Sequence, residues 1–200
     1  MNDATIWQID PAHTTIEFAV KHMMFTTVRG RFKKFSGTVR VDERHPNLSG
    51  VDVDIEAASI DTGVDDRDAH LRSADFLDVE HHPRITFRST GVEGAHAKDG
   101  DRFRIAGDLD IRGQALPVTL EVTFEGIGKD PWGKQRAGFA ARTEIDRHQW
   151  GLRWNQALET GGVLVGQSVK IEIEAQAVKQ DMAEHRPEGT ADSARVKATI

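Results

Sequence analysis

Apolar and polar residues alternate along many short segments of this sequence, and this alternation is its dominant pattern. Over 51–57, for example, every odd position is Val, Ile or Ala, and every even position carries a carboxylate. A period of two places the apolar set on one face of a β-strand and the polar set on the other. The sequence therefore predicts about eight strands, because the alternation recurs over 85–89, 103–111, 118–124 and 169–177 and, more weakly, over 16–22, 35–41 and 139–145.

These segments share one apolar and one polar face, which is typical of antiparallel rather than parallel sheets. No long helical segment separates them, which argues against repeated βαβ units. An amphipathic sheet has to bury its apolar face, either by closing into a barrel or by pairing as a sandwich. Strand lengths of about 8–11 residues favour the barrel. We therefore predict an all-β, eight-stranded antiparallel barrel, whose interior is filled by side chains or holds one slim ligand.

One segment is typical of a helix, and the end of the chain lacks any periodic pattern. Asp65–Ser73 begins with acidic residues and carries Arg72 near its end, as the helix dipole favours. We predict a short helix there, followed by a loop over Ala74–Pro83 that covers one end of the barrel. Apolar residues become sparse from Lys179 onward. We therefore predict a barrel domain over 1–178 and a disordered tail over 179–200.

The composition excludes several classes of function. The chain has no cysteine, which excludes disulfides, thiolate catalysis and iron–sulfur clusters. Its formal net charge of −6 argues against nucleic-acid binding, which depends on clustered Lys and Arg. The sequence has no run of about 18 apolar residues, so we predict no transmembrane helix. Charged residues interrupt every apolar stretch near Met1, so we predict no export signal and expect a cytoplasmic protein.

Residue patterns that carry chemistry are rare in this sequence. His81 and His82 are neighbours, which point to different sides of an extended chain, and no recognised zinc spacing occurs. The motif Gly-x-Ser-x-Gly is also missing. We therefore predict no metal, no cofactor and no catalytic residue. His22 stands out because it continues the apolar face of Phe18 and Val20, so its imidazole is either hydrogen-bonded within the core or turned towards a bound ligand.

Small residues interrupt the apolar faces at several inward positions. They have two explanations that the sequence leaves open: a tightly curved, tapering wall, or a hollow that side chains do not fill. The positions concerned are Ala57, Gly107, Ala141, Thr143 and Ala175.

Several sequence blocks resemble the bacterial YceI-like family of lipocalin-like, polyisoprenoid-binding barrels, and together they cover Ile6–Val178. They lie in the family's order over 7–23, Val28–Gly37, Ser59–Ser89, Gly107–Gly113 and Arg147–Asn155, with Asp110 where Thr is usual. The matching positions include Trp7, Asp10, His13, Phe18, His22, Asp61, Thr62, Arg67, Asp68, Leu71, Phe76, Pro83, Phe87, Arg147, Trp150, Gly151, Leu152, Trp154 and Asn155.

The resemblance implies a barrel, often dimeric, with an apolar tunnel for a long isoprenoid or fatty ligand and without catalytic residues. Burial of each CH₂ group contributes roughly 0.8 kcal/mol, so the free energy gained by burying a long tail exceeds an association cost of about 4–15 kcal/mol. We expect a polar head group near His13, His70 and Arg72 at the barrel mouth. The residues expected to contact the ligand are Phe18, Val20, His22, Phe32, Val53, Ile55, His70, Leu71, Phe76, Phe87, Leu109 and Trp154.

Two other functions compete with lipid binding. An enzyme on the same barrel would need a titratable pair inside the cavity, with His22 as one member, and replacing His22 by Gln or Phe would then abolish turnover. A purely structural barrel would have an interior filled by its own side chains. A structure decides between a hollow and a filled interior directly.

Overall fold

The computed structural model describes residues 4–42, 44–95, 99–159 and 161–180. Their secondary structure is dominated by antiparallel strands, with one α-helix, α1 (Asp65–Arg72), and short 3-10 helices at Pro11–His13, Pro46–Leu48, Ala57–Ser59 and Arg147–Trp150. The strand segments are β1 (Thr5–Ile9), β2 (Thr15–His22), β3 (Thr26–Phe32), β4 (Phe35–Val41), β5 (Gly50–Glu56), β6 (Ile60–Asp61), β7 (Arg84–Glu93), β8 (Arg102–Ile111), β9 (Gln114–Lys129), β10 (Gln135–Asp146) and β11 (Val165–Lys179).

The sheet closes on itself between the first and last strand segments. β1 pairs with β4 on one side and with β11 on the other, so Trp7 lies opposite both Val39 and Lys179. Between β4 and β11 the neighbours follow chain order, β5, β7, β8, β9 and β10, and every pairing is antiparallel. The predicted eight-stranded antiparallel barrel is therefore confirmed.

Eleven segments make eight barrel strands because three of the strands are split. β1 and β2 lie end to end along β11, β3 and β4 follow each other across Lys33 and Lys34, and β5 and β6 flank Ala57–Ser59. The first break occurs at Pro11, which has no backbone N–H to donate to a neighbouring strand. The Asp10 side chain caps the short helix there, with its Oδ1 accepting from the Ala12 N–H at 3.0 Å.

The alternating pattern predicted β2, β4 and β5 but missed β1, β3 and β6, which complete these three split strands. In β3 the pattern is hidden because the inward position Gly30 has no side chain. The ring of Phe18 occupies that space, since a Cβ on Gly30 would lie 2.4 Å from Phe18 Cζ. Packing of β2 against β3 therefore requires the glycine that hides the strand.

The predicted helix is present as α1, one residue shorter than expected, and an irregular segment over 73–83 follows it. Asp68 of α1 is buried, and its Oδ1 accepts hydrogen bonds from the backbone N–H and the hydroxyl of Thr62. In the described part of the chain, no helix is long and apolar enough to cross a membrane. β11 ends at Lys179, and most of the predicted tail, 181–200, lies outside the described residues.

Two ends of the barrel can be distinguished by the connections they carry. The helical end carries α1, the segment 73–83, the turn between β2 and β3, and the connection 147–164. The opposite end carries the connections from β4 to β5, from β7 to β8 and from β9 to β10.

Candidate functional site

The inner faces of the barrel strands enclose a cavity of about 930 Å³ that is partly open to solvent. Each of the eleven strand segments contributes apolar side chains to its wall. The lining extends from Leu164 and Val165 at the helical end to Pro46 and Ile127 at the opposite end, so the cavity runs the length of the barrel. Its volume lies in the upper part of the range of about 300–1,000 Å³ that is typical of ligand pockets. The interior is therefore hollow rather than filled.

The structure places all the predicted ligand-contact residues on the cavity wall. Most are side chains of barrel strands, while His70, Leu71 and Phe76 belong to α1 and the segment after it. The full set is Phe18, Val20, His22, Phe32, Val53, Ile55, His70, Leu71, Phe76, Phe87, Leu109 and Trp154. Their contact with a ligand stays a prediction.

The positions expected for His13 and Arg72 need correction, because neither residue lines the cavity. His13 lies outside the barrel, where its Nδ1 is 2.9 Å from Asp10 Oδ2 and its side chain is 60% exposed. Arg72 turns towards the backbone instead, and its Nε and one terminal nitrogen donate to the carbonyls of Ala58 and Ile60 at 2.8 Å each. The break between β5 and β6 at Ala57–Ser59 thus uses the guanidinium that was expected at the mouth.

The small inward residues divide between the two explanations that the sequence left open. Ala141, Thr143 and Ala175 face the cavity and leave its volume free. Gly107 instead makes room for Phe87, because a Cβ at that position would lie 2.4 Å from the Phe87 ring. Ala57 is 1% exposed and packs in the core beside the cavity. Small side chains on β10 and β11 therefore leave room for the cavity.

An aromatic cluster formed by His70, Phe76 and Trp154 lies at the helical end of the cavity. The ring centroid of His70 is 5.0 Å from that of Phe76 and 4.6 Å from that of Trp154, and both contacts are edge-to-face. His70 Nε2 also lies 2.9 Å from Asp75 Oδ2. The cluster holds α1 and the segment after it against the connection that precedes β11.

A buried arginine organises that connection. Arg147 is 3% exposed, and its guanidinium donates to the carbonyls of Leu152, Trp154, Val165 and Gly166. Burial disfavours the charged form and lowers the pKa of Arg147. Sequence reasoning missed this role, although the residue is one of the family-like positions in the last block.

His22 is the inward imidazole that the sequence singled out, and it lies half-buried on the cavity wall. Among the described residues, no hydrogen-bond partner of its side chain is present, while its backbone carbonyl accepts from the hydroxyl of Thr26 at 3.0 Å. The imidazole nitrogens are therefore available to a ligand or to water. The expected alternative, an imidazole satisfied by a core partner, does not hold in this structure.

Polar side chains on the cavity wall are concentrated near its ends. The helical end has His22, Asp66, Arg67 and His70, and the opposite end has Asp42 and Ser49. No group of three metal-binding side chains comes together in the part of the chain that the structure describes. The arrangement suits a molecule with a long apolar part in the middle of the barrel and a polar part near an end.

Comparisons with known proteins agree with this architecture. The model of the YceI-like domain family matches residues 7–177. Protein YceI of Escherichia coli O157:H7 is 43% identical over 141 residues, which are 70% of this chain and 72% of that protein. The crystal structure of BcnA from Burkholderia cenocepacia has a TM-score of 0.72 at 25% identity and covers 84% of this chain and 98% of that one.

A more distant structural neighbour shows the fold alone. It is a polyisoprenoid binding domain from Saccharophagus degradans, implicated in plant cell wall breakdown, and it has a TM-score of 0.66 at 13% identity. The alignment covers 87% of this chain and 98% of that domain. The barrel fold is therefore shared with solved structures at both 25% and 13% sequence identity.

Proposed function

Because this chain belongs to the YceI-like domain family, we propose that it is a binding protein that holds an isoprenoid or other long-chain lipid inside its barrel. The observation that carries the proposal is the apolar cavity of about 930 Å³ that runs between the two ends of the barrel. The distant structural neighbour that is named as polyisoprenoid-binding supplies the ligand class to test first.

Burial of apolar surface provides enough driving force for such a ligand. About twenty CH₂ groups contribute roughly 16 kcal/mol when they leave water, at roughly 0.8 kcal/mol each. Association costs about 4–15 kcal/mol. A tail of this length therefore binds even when few of its polar atoms find partners, whereas a short, polar molecule gains little from the same wall.

The cavity supports binding better than catalysis. General acid–base catalysis requires positioned titratable groups, and His22 has no hydrogen-bonded carboxylate among the described residues. His70 does have one, Asp75, but His70 lies on α1 and Asp75 on the segment after it, and their contact holds the aromatic cluster in place. The dominant feature of the interior is its apolar wall rather than a reactive pair.

Native mass spectrometry of the purified protein tests the proposal. The protein is first examined as isolated, then stripped of lipid with organic solvent, refolded and offered a C20 prenyl alcohol, a C20 fatty acid or a C5 prenyl alcohol. We expect a stoichiometric complex with the long ligands and none with the C5 compound, because only the long chains bury enough surface. A protein that takes up none of these compounds would contradict the proposal.

A further inference from the structure

The turn between β2 and β3 exposes an unusual run of large apolar residues at the helical end. Met24 is 66% exposed and Phe25 is 72% exposed. Met23 and Met24 both have positive φ angles, 50° and 71°, where turns ordinarily place Gly or Asn. Large apolar residues do not stabilise a hairpin that faces only water. Polar turn residues such as Gly or Asn would adopt the same backbone conformation with less strain and without exposing apolar surface.

This turn is continuous with the cavity wall. The backbone N–H of Met23 donates to the carbonyl of Leu164 at 2.8 Å, and Leu164 lines the cavity. The thioether of Met24 lies beside Gly162, next to Val163, which is 39% exposed. We call Met23, Met24, Phe25 and Val163 the apolar tip; it joins the outer surface to the interior of the barrel.

We propose that the apolar tip inserts into the surface of a lipid bilayer and docks the helical end of the barrel there, so that the ligand passes between membrane and cavity. The inference rests on the proposed function, because a long-chain lipid is stored in bilayers rather than in water. Exposed apolar patches of this kind mark membrane or protein contacts. Continuity with a lipid-sized cavity is what favours the bilayer over a protein partner.

The charges around the apolar tip predict whether docking requires anionic lipids in the bilayer. Lys21 precedes the turn, while Asp65 and Asp66 of α1 lie at the same end of the barrel, so the end carries both signs of charge rather than a basic cluster. Attraction to anionic lipids depends on several neighbouring cations. Docking by the apolar tip is therefore expected on electrically neutral phosphatidylcholine and is expected to be insensitive to salt.

The opposite end provides a matched control. Trp132 is 82% exposed at the turn between β9 and β10, so it is at least as accessible as Phe25. Its turn, however, is formed around the Asp130 carboxylate, whose Oδ1 accepts from the Trp132 and Lys134 backbone N–H groups. Replacing Trp132 by Ser removes a comparable apolar side chain from the end of the barrel that lacks the apolar tip.

Two measurements test the proposal on the full chain. The first is co-sedimentation with phosphatidylcholine vesicles that contain no ligand, for the wild type, the double variant Met24→Ser/Phe25→Ser and Trp132→Ser. We expect the double variant to lose about tenfold or more in partitioning, because it removes two inserted side chains, and Trp132→Ser to behave as the wild type. Raising the salt concentration is expected to leave wild-type partitioning unchanged.

The second measurement is the rate at which each protein takes up a fluorescent C16 fatty acid from the same vesicles, with equilibrium binding of the free probe measured in parallel. We expect the double variant to take up the probe about tenfold more slowly while binding the free probe normally. Failure of the wild type to bind the free probe would count against the proposed function, and the sedimentation result would still decide the docking.

Several outcomes would overturn the docking inference. Equal sedimentation of the wild type and the double variant is one, and a larger effect of Trp132→Ser than of the double variant is another. Light scattering gives a third: if the double variant converts a dimer to a monomer and its uptake rate is unchanged, the apolar tip is covered by a second copy of the chain.

Discussion

Arg136 is a single side chain on β10 that bonds to three residues from different segments of the chain. One of its terminal nitrogens donates to Asp10 Oδ2 at 2.6 Å and to Gln176 Oε1 at 2.7 Å, and its Nε donates to Asp130 Oδ2 at 2.9 Å. The hydrogen bond from Arg136 holds the pKa of Asp10 at about 2, well below its ordinary value of 3.8. Asp10, which caps the short helix at the break in the first barrel strand, is thereby tied to β10 and β11.

The depressed pKa of Asp10 predicts how stability depends on pH. The folded state binds the Asp10 proton more weakly than the unfolded state, so the carboxylate stabilises the fold above pH 4 and this contribution disappears as the pH falls towards 2. We expect Asp10→Asn to lower the free energy of unfolding by about 1.5–3 kcal/mol at pH 7. The difference from the wild type should shrink as the pH falls below 4.

Urea denaturation at a series of pH values from 7 to 3 measures this difference. Asp108→Asn serves as the control, since Asp108 is an exposed carboxylate on β8 and is expected to change stability little at any pH. A difference between Asp10→Asn and wild type that is the same at every pH would show that the carboxylate charge is not what stabilises this region.

The connection between β10 and β11 is an element that depends on one buried cation. Arg147 donates to the backbone carbonyls of Leu152, Trp154, Val165 and Gly166, and of these the Val165 carbonyl also accepts from Asn155 Nδ2. A lysine carries the charge but not the planar set of five donors. We therefore expect Arg147→Lys to lower the free energy of unfolding by about 3 kcal/mol or more, because buried carbonyls lose their donors.

Thermal and urea unfolding measure this loss, with Arg142→Lys as the matched control. Arg142 lies on the outer face of β10, where its guanidinium is 73% exposed and bonded to Glu121, so its replacement is expected to change stability by less than about 1 kcal/mol. Equal effects of the two replacements would mean that the carbonyls around Arg147 are satisfied without it.

At the scale of elements, the sequence predicted what depends on local periodicity and missed what depends on packing. The strongly alternating strands and α1 follow from neighbouring residues alone. β3 was hidden by Gly30, whose identity is explained only by the ring of Phe18 on the neighbouring strand. Likewise, Arg147 donates hydrogen bonds to residues that are 5 to 19 positions away in the sequence. These bonds form only when the connection folds.

At the scale of the whole molecule, the cavity length is expected to select the ligand length. Ala141 faces the middle of the cavity, whereas its neighbour Ala140 faces outward on the same strand. We expect Ala141→Phe to obstruct the hollow and to weaken binding of a C20 ligand about tenfold or more, because the tail can no longer bury its full length. A C10 ligand should lose much less affinity.

Ala140→Phe provides the matched control, since it adds the same ring to the outside of the barrel. Both variants are titrated with C10 and C20 fatty acids, and displacement of a bound fluorescent probe gives the affinity of each variant for each fatty acid. If both variants bind the C20 ligand with wild-type affinity, the ligand does not occupy the middle of the barrel.

The predicted site was more complete for the apolar wall than for its polar ends. Wall residues such as Phe87 and Leu109 follow from the period of two once a closed barrel is assumed. Polar groups near the ends have no such rule, because loop conformation decides where they point. His13 therefore proved to pair with Asp10 outside the barrel, and Arg72 proved to bind the Ala58 and Ile60 carbonyls.

The pairing of β1 with β11 joins residues near Trp7 to residues near Lys179 and has a consequence for how the molecule forms. During synthesis β1 is produced first and β11 last of the strands. The edge of β1 that pairs with β11 therefore stays unpaired until nearly the whole chain has been made. Until the barrel closes, its apolar inner surface is accessible to solvent, chaperones and lipids. Strands whose partners lie so far apart in the chain pair slowly, so this inner surface stays exposed for longer than it would in a fold built from local contacts.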